Sequence, residues 1–241
     1  MFRIGGLLHT ANLMAFPRHY RFRMLNSKMG PCLRVLAPGG VSVLLVGCGP
    51  AGTPRPSPPL VAAARRQIGV TTEYDPAYIT LSYPGGDVPL RTGVCCDVVI
   101  RAARGVGVDL QKEVHEDMRR NFRDYPKRWA LKRPDRSIDH RRVQNLARYF
   151  ERHHVAIRRT LDDPSSYRPG DIVTWDIGRG MMHIGIVSDR VAGNTPLILH
   201  NIGRGTQEEN ILLRFPVRGH YRLKLRLSPT AAGPTGPRTR G

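Results

Sequence analysis

The chain has 241 residues, of which 40% are hydrophobic, and it carries a formal charge of +19 at pH 7. Residues 1–48 hold six Lys or Arg and residues 222–241 hold five, with no acid in either segment, so about +8 remains for the middle of the chain. The length fits one domain with tails, and the charge favours an acidic partner such as nucleic acid, an anionic membrane or the carboxylate-rich polymer of a bacterial wall.

The N-terminal region has the anatomy of an export signal. A short apolar stretch begins at Val35, directly after Arg34, and a Pro/Gly/Ser-rich segment follows it. The stretch is shorter than the roughly 20 apolar residues that span a bilayer. Met24 and Met29 offer alternative starts that would shorten the Arg-rich segment before it. We therefore expect an exported protein.

The residues LVGC, Leu45 to Cys48, resemble the lipobox of bacterial lipoproteins, in which the cysteine is lipidated and becomes the first residue. We expect residues 1–48 to be a leader, Cys48 to carry a lipid that anchors the protein to a bacterial membrane of the cell envelope, and residues 49–59 to be a Pro-rich linker. The alternative is a buried apolar strand with a chance cysteine.

The first half of the remaining chain is predicted to be helical. Residues 60–69 have helical composition and a Gly stop, and residues 71–93 form a long loop rich in Tyr, Pro and Gly. Apolar residues recur at helical spacing in residues 95–104, from Asp109 onward, and in residues 139–153.

The second half is predicted to be strands joined by short turns. The apolar runs at residues 172–175, 183–189, 196–203 and 219–227 are each bounded by Gly, Asn, Asp or Pro. Helices followed by an antiparallel sheet predict a two-layer α+β domain over residues 60–227. Residues 228–241 read as a disordered tail.

Two adjacent cysteines, Cys95 and Cys96, begin a predicted helix. If Thr92 caps that helix, Cys95 is its third residue, where free N–H groups and the helix dipole favour a thiolate. Adjacent helical side chains point about 100° apart, so we expect only one thiol to face a given cleft. A disulfide between the two is not expected, because it needs Cα atoms about 5.5 Å apart rather than 3.8 Å.

Two histidines provide candidate partners for a thiolate. His183 begins the strand HIGIV and His200 ends the strand LILH. If these strands pair antiparallel, His183 can contact the thiol and His200 can orient His183. The alternative is that both are hydrogen-bonded strand residues without a catalytic role.

Blocks of sequence resemble known families. RPGDIVTW, MHIGIVSD and LILHN are similar to the pattern of NlpC-type cell-wall peptidases of the papain-like superfamily. The ordered blocks GVCCDVVIRA, VHEDM, IDHRRV, PGDIV, HIGIVSD and HNIG resemble the YijF-like proteins, an uncharacterised bacterial family within that superfamily.

The resemblance implies a papain-like α+β fold of the NlpC type, with N-terminal helices packed on a C-terminal antiparallel sheet. It also implies Cys95 as nucleophile, His183 as general base and His200 as the polar third residue. Cys96 remains the alternative nucleophile, and Asn201 the alternative to His200.

Other residues are weaker candidates for the site. Arg141 or Arg142 could hold a substrate carboxylate through a bidentate contact, although a charged helix start is more often a solvated face. Tyr74 and Tyr78 could line a cleft, and packing explains them equally well. No His, Cys and Asp pattern has metal-ligand spacing, so we expect no metal and no other cofactor.

The leading hypothesis is therefore an exported cysteine hydrolase of the cell envelope or periplasm that cleaves an amide bond in peptidoglycan stem peptides or in another envelope substrate. The alternative is a non-catalytic lipoprotein that binds the cell wall or serves as an envelope scaffold. A nucleic-acid partner is not expected, because the chain has no zinc-finger, helix-turn-helix or aromatic-basic sheet motif.

Overall fold

A computed structural model describes residues 56–129, 132–153, 155–157 and 161–223. The predicted leader, the lipobox with Cys48, most of the predicted linker and the predicted C-terminal tail lie outside the described residues. In the ranges just given, no helix has both the length and the apolar character needed to cross a membrane.

Four α-helices precede most of the sheet: α1 (Pro59–Arg65), α2 (Cys95–Arg104), α3 (Leu110–Asn121) and α4 (Val143–His153). Helix α2 is central, because most of its residues are buried, and its small residues allow other elements to approach closely. Helix α3 begins at the cap Asp109, whose carboxylate accepts from the backbone N–H of Gln111 and Lys112.

The helix predicted over residues 139–153 is interrupted. Residues Asp139–Arg141 form a 3-10 turn, and Arg142 then adopts extended backbone (φ −112°, ψ 120°) before α4 begins at Val143. Because the backbone direction changes at Arg142, the neighbouring Arg141 and Arg142 side chains have different partners.

Eight strands form two sheets in the part of the chain that the structure describes. The strands are β1 (Glu73–Tyr74), β2 (Thr92–Gly93), β3 (Val155–Ala156), β4 (Ile172–Asp176), β5 (Met182–Ala192), β6 (Thr195–His200), β7 (Gln207–Glu209) and β8 (Val217–Arg222). Six of them form one antiparallel sheet in the order β3-β8-β4-β5-β6-β7. The parallel pair β1-β2 lies within the loop predicted over residues 71–93. The predicted α+β class is confirmed.

Both faces of the large sheet are covered. Ile172 of β4 packs in the cluster formed with the helices, whereas Val173 and Trp175 face a second cluster with Ile211 and Leu212. This alternation follows from the two-residue period of a strand. The indole N–H of Trp175 donates to the carbonyl of Leu212 at 2.8 Å, which fixes the covering segment to the sheet.

Candidate active site

Cys95 is the first residue of α2. Val94 precedes it in extended backbone, and the Asp97 carboxylate accepts a hydrogen bond from the Val94 N–H at 2.7 Å. The expectation that Thr92 caps the helix is wrong, because its hydroxyl donates to the carbonyl of Pro89 at 3.2 Å. Cys95 is therefore at the first helical position rather than the third.

This position leaves two main-chain donors of the helix start without an acceptor. The N–H of Asp97 donates to the Val94 carbonyl at 3.0 Å, whereas those of Cys95 and Cys96 have no acceptor among the described residues. The first N–H groups of a helix carry the positive end of its dipole. They favour an anion here, whether a thiolate or the oxyanion of a tetrahedral intermediate.

Cys95 and Cys96 line the same cleft, contrary to the expectation from helical spacing. Both are free and almost fully buried. The Cys96 thiol hydrogen-bonds the Cys95 sulfur, which is the largest influence that lowers the pKa of Cys95 well below its ordinary value. Contact at the helix entry thus joins two side chains that a regular helix would separate.

The two thiols differ in acidity. Burial alone would raise the pKa of Cys95, but hydrogen bonds from Cys96, His183 and the Ile184 main chain outweigh it. The pKa of Cys96 is raised well above its ordinary value, first by burial, then by its hydrogen bond to Cys95 and by the charge of that neighbour. Cys95 is therefore the thiolate of the pair, and Cys96 is its donor.

His183 and His200 meet as the predicted strand pairing requires. Strands β5 and β6 are antiparallel neighbours, and His183 Nε2 lies 3.1 Å from His200 Nδ1. Both imidazoles are buried. Because Nε2 of His183 is engaged with His200, we assign its Nδ1 to the hydrogen bond with the Cys95 sulfur.

Glu209 extends this chain of contacts and was not identified from the sequence. Its Oε2 lies 3.1 Å from His200 Nε2, on the strand next to β6. The distance is that of a hydrogen bond, but the ring N–H is not aligned with the oxygen, so the contact is chiefly electrostatic. Only the pairing of β7 with β6 brings Glu209 here, and no sequence spacing signals it.

The protonation states of Glu209 and His200 fit the contact between them. The pKa of Glu209 is lowered, first by its contact with His200, so Glu209 is an anion at neutral pH. The pKa of His200 is lowered, first by burial, so His200 is neutral. A neutral His200 with its proton on Nε2 presents a free Nδ1 lone pair, which can accept a hydrogen bond from Nε2–H of His183.

Gly185 allows the two histidine strands to approach. A Cβ atom at this position would lie 2.6 Å from Ile198 Cγ2 and 3.2 Å from the Cβ of His200. Any side chain would push β6 away from β5, so the glycine two residues after His183 maintains the contact between the imidazoles.

Asn201 does not orient His183. Its amide nitrogen donates to the carbonyl of Gly93 at 3.0 Å, and its side-chain oxygen accepts from the N–H of Gly203 at 3.1 Å. Asn201 thus ties the end of β6 to the segment that leads into α2. Of the two candidates for the third residue, only His200 contacts His183.

The cleft in front of Cys95 has a volume of about 200 Å³. Its lining residues are Tyr74, Pro76, Val94, Cys95, Cys96, Trp129, Ile138, Arg141, Arg142, Val143, Gln144 and Met182. No Asp or Glu is among these lining residues, so the cleft has cationic and apolar walls.

The guanidinium of Arg141 forms its hydrogen bonds within the protein. Its guanidinium pairs with Asp97 at 3.0 Å, and both side chains are almost fully buried. It also donates to the carbonyls of Ala77 and Asp75, at 3.2 and 3.3 Å. Arg141 is therefore unavailable for a substrate carboxylate, contrary to one of the two expectations, and instead fixes the start of α2.

The two candidate tyrosines lie in different places, and only Tyr74 lines the cleft. Tyr74 is on the cleft wall, and its pKa is raised, first by burial of its hydroxyl and then by the charge of Cys95. Tyr78 is 56% exposed, lies in a different depression, and its hydroxyl is 3.2 Å from an Asp135 carboxylate oxygen. The expectation that Tyr78 lines this cleft is wrong.

No cluster of three or more His, Cys, Asp or Glu suited to a metal ion occurs in the part of the chain that the structure describes.

Comparison with known proteins gives one family. The family model for the Domain of unknown function (DUF1287) matches residues 61–223. The Uncharacterized protein YijF of Escherichia coli (strain K12) is 59% identical over 160 residues, which cover 66% of this chain and 78% of that protein. No solved structure matches. The chain belongs to the DUF1287 family, which includes the YijF-like proteins.

Proposed function

We propose that this protein is a cysteine hydrolase that cleaves an amide bond, with a papain-like fold of the NlpC type. The observation that carries the proposal is the 3.1 Å contact between His183 Nε2 and His200 Nδ1, together with Cys95, whose pKa is lowered by hydrogen bonds from Cys96 and from His183. A lowered thiol pKa provides the nucleophile, and a paired imidazole provides the base and acid that acyl transfer needs.

The reaction follows from these positions. The Cys95 thiolate attacks the carbonyl carbon of the amide, and the oxyanion faces the free N–H groups at the start of α2. The protonated His183 gives its proton to the leaving amine as the C–N bond breaks. His183 then removes a proton from water, whose oxygen attacks the thioester, and the acid is released with the thiolate restored.

The substrate is proposed to be a peptidoglycan stem peptide. This step relies on the resemblance to NlpC-type peptidases and on the export signal and lipobox of the N-terminal sequence. We propose accordingly a location in the bacterial envelope, with a lipid at Cys48 as membrane anchor. The cationic cleft suits stem peptides, which carry free carboxylates.

A non-catalytic wall-binding or scaffold lipoprotein is the second candidate. The observation that favours it is that only 5% of Cys95 is exposed, which would leave an inert thiol if the cleft did not admit a substrate. Release of peptidoglycan fragments by wild type and by Cys95→Ala distinguishes the two functions.

The test is incubation of the full chain with purified peptidoglycan, with mass analysis of released fragments. We expect wild type to release fragments, and Cys95→Ala and His183→Ala to release none, whereas Cys96→Ala retains part of the activity. If Cys96→Ala abolishes release and Cys95→Ala does not, the nucleophile is misassigned. If wild type releases no more than Cys95→Ala, the hydrolase proposal fails.

A further inference from the structure

Arg142 is a cation of the cleft whose guanidinium uses only a small part of its hydrogen-bonding capacity within the protein. Its Nη1 donates to Asp139 Oδ1 at 3.2 Å, and the other donors of the guanidinium have no acceptor among the described residues. A guanidinium has five N–H donors, so most of its capacity remains. By contrast, the guanidinium of Arg141, one residue earlier, donates to Asp97 and to two main-chain carbonyls.

Arg142 is held in place by the ring of Trp129 and by one ion pair, with Asp139. Its guanidinium carbon lies 4.2 Å from the ring centroid of Trp129, and its side chain is 15% exposed. Stacking on an aromatic face fixes the plane of a guanidinium while leaving its edge free. Its partner Asp139 is not among the residues that line the cleft.

Other groups add to the positive potential of the same wall. Helix α4 begins at Val143, directly after Arg142, and Gln144 also lines the cleft with a partly buried side chain. The N-terminus of α2 opens onto the cleft at Cys95. Two helix dipoles therefore point their positive ends toward the space that Arg142 borders.

We propose that Arg142, stacked on Trp129, binds a free carboxylate of the substrate, so that the substrate is an acidic peptide with that carboxylate close to the scissile amide. This inference rests on the proposed function, since it assigns a recognition site beside Cys95. The planar fork of Arg142 matches a carboxylate in a bidentate contact. Gln144 is positioned to add a neutral hydrogen bond.

The test uses N-acetylglutamate and its uncharged diamide, which have the same size, as competitors of iodoacetamide at Cys95. Ionic strength is held constant with NaCl, and alkylation of the full chain is followed by mass spectrometry. We expect N-acetylglutamate to protect Cys95 at about tenfold lower concentration than the diamide, as expected for a charge-assisted contact.

Three variants locate the effect. Arg142→Gln removes the preference for the anion, Arg142→Lys keeps part of it, and Arg119→Gln keeps all of it, because Arg119 is an exposed cation on α3 outside the cleft. Arg142→Lys also serves if Arg142→Gln does not fold. Equal protection by both compounds in wild type, or an unchanged preference in the Arg142 variants, overturns the inference.

A second measurement separates failure of this inference from failure of the proposed function. The chain has two tryptophans, and Trp129 is 45% exposed whereas Trp175 is fully buried, so the two compounds are also titrated by tryptophan fluorescence. If Cys95 resists alkylation but fluorescence responds to the anion in an Arg142-dependent manner, the carboxylate site is supported and the hydrolase proposal is refuted. If Cys95 reacts rapidly and neither readout distinguishes the compounds, the hydrolase proposal is supported and the carboxylate site is refuted.

Discussion

At the scale of residues, the acidity of Cys95 comes from neighbours on two sides. Cys96 donates from the same helix, and His183 donates from β5. His183 in turn contacts His200, and His200 contacts Glu209. Each contact stabilises a charge on its neighbour, so the single low pKa of Cys95 depends on several elements of the fold.

The doubled cysteine leads to a direct test of the thiol hydrogen bond. In Cys96→Ala the donor is lost, so the pKa of Cys95 rises and the midpoint of its alkylation by iodoacetamide moves up by about one pH unit or more. Cys96→Ser keeps a donor and should move the midpoint less. Equal midpoints in wild type and Cys96→Ala would show that the thiol of Cys96 does not act on Cys95.

Glu209 and its neighbour Glu208 form a matched pair of carboxylates on β7. Glu209→Gln removes the anion next to His200 and so weakens the electrostatic support that the two histidines give to the Cys95 thiolate. We therefore expect the alkylation midpoint of Cys95 to rise and fragment release to fall about tenfold. Stability in urea should change little, because Glu209 is partly exposed.

Glu208→Gln should instead affect stability and not the thiol. The side chain of Glu208 is only 7% exposed and pairs with Arg65 at 2.7 Å, so its loss should lower the free energy of unfolding by about 2 kcal/mol and leave the alkylation midpoint unchanged. If both variants act alike, the distinction between a site contact and a structural contact is wrong.

The candidate nucleophile and the two histidines could be proposed from the sequence, because Cys95 begins a periodic segment and both histidines lie at strand ends. Glu209 could not, because its place depends on β7 pairing with β6. The burial of Arg141 in an ion pair could not be predicted either. The break at Arg142 gives the two adjacent arginines different surroundings, which a continuous helix would not do.

At the scale of elements, the start of α2 is fixed by a buried ion pair. Asp97 accepts from the Val94 N–H and from the Arg141 guanidinium, and Arg141 also binds the carbonyls of residues 75 and 77. Asn201 holds Gly93 from the other side. The helix entry that carries Cys95 is therefore set by three side chains from distant parts of the chain.

Breaking this pair should cost far more than breaking an exposed one. Arg141→Met leaves a buried carboxylate without its partner, and we expect a loss of about 3 kcal/mol in the free energy of unfolding, measured in urea. Arg91→Met removes an exposed partner of Glu73 and should cost less than about 1 kcal/mol. Similar losses in the two variants would contradict the structural role given to Arg141.

At the scale of the whole molecule, the helical layer and the sheet are held by a continuous core and by buried carboxylates that join elements. Asp117 of α3 accepts hydrogen bonds from Tyr125 at 2.7 Å and from Arg152 at 2.9 Å, and it contacts His153 at 2.9 Å. These contacts join α3 to α4. They outweigh burial, the largest influence, and lower the pKa of Asp117 to about 2.

The lowered pKa of Asp117 predicts part of the acid sensitivity. A carboxyl whose pKa is depressed on folding stabilises the protein above its unfolded pKa, about 4, and this contribution is lost as pH falls toward 2. Asp117→Asn should lower the free energy of unfolding by about 2 kcal/mol at pH 7 and bring it closer to wild type as pH falls below about 4.

Urea unfolding between about pH 7 and pH 3 measures this difference. Asp124→Asn is the control, because Asp124 is a more exposed partner of the same Arg152 and should change stability by less than about 1 kcal/mol. A constant difference between wild type and Asp117→Asn across this range would contradict the linkage.

The central claim, that Cys95 is a thiolate held by His183, is tested most directly by the pH dependence of Cys95 alkylation by iodoacetamide. We expect a rate in wild type that is nearly constant between about pH 6 and pH 8, and a rate in His183→Gln that rises with pH toward the roughly tenfold increase per unit of an ordinary thiol. Cys95→Ala identifies the labelled residue. A steep rise in wild type, or identical profiles with and without His183, would show that His183 does not hold Cys95 as a thiolate.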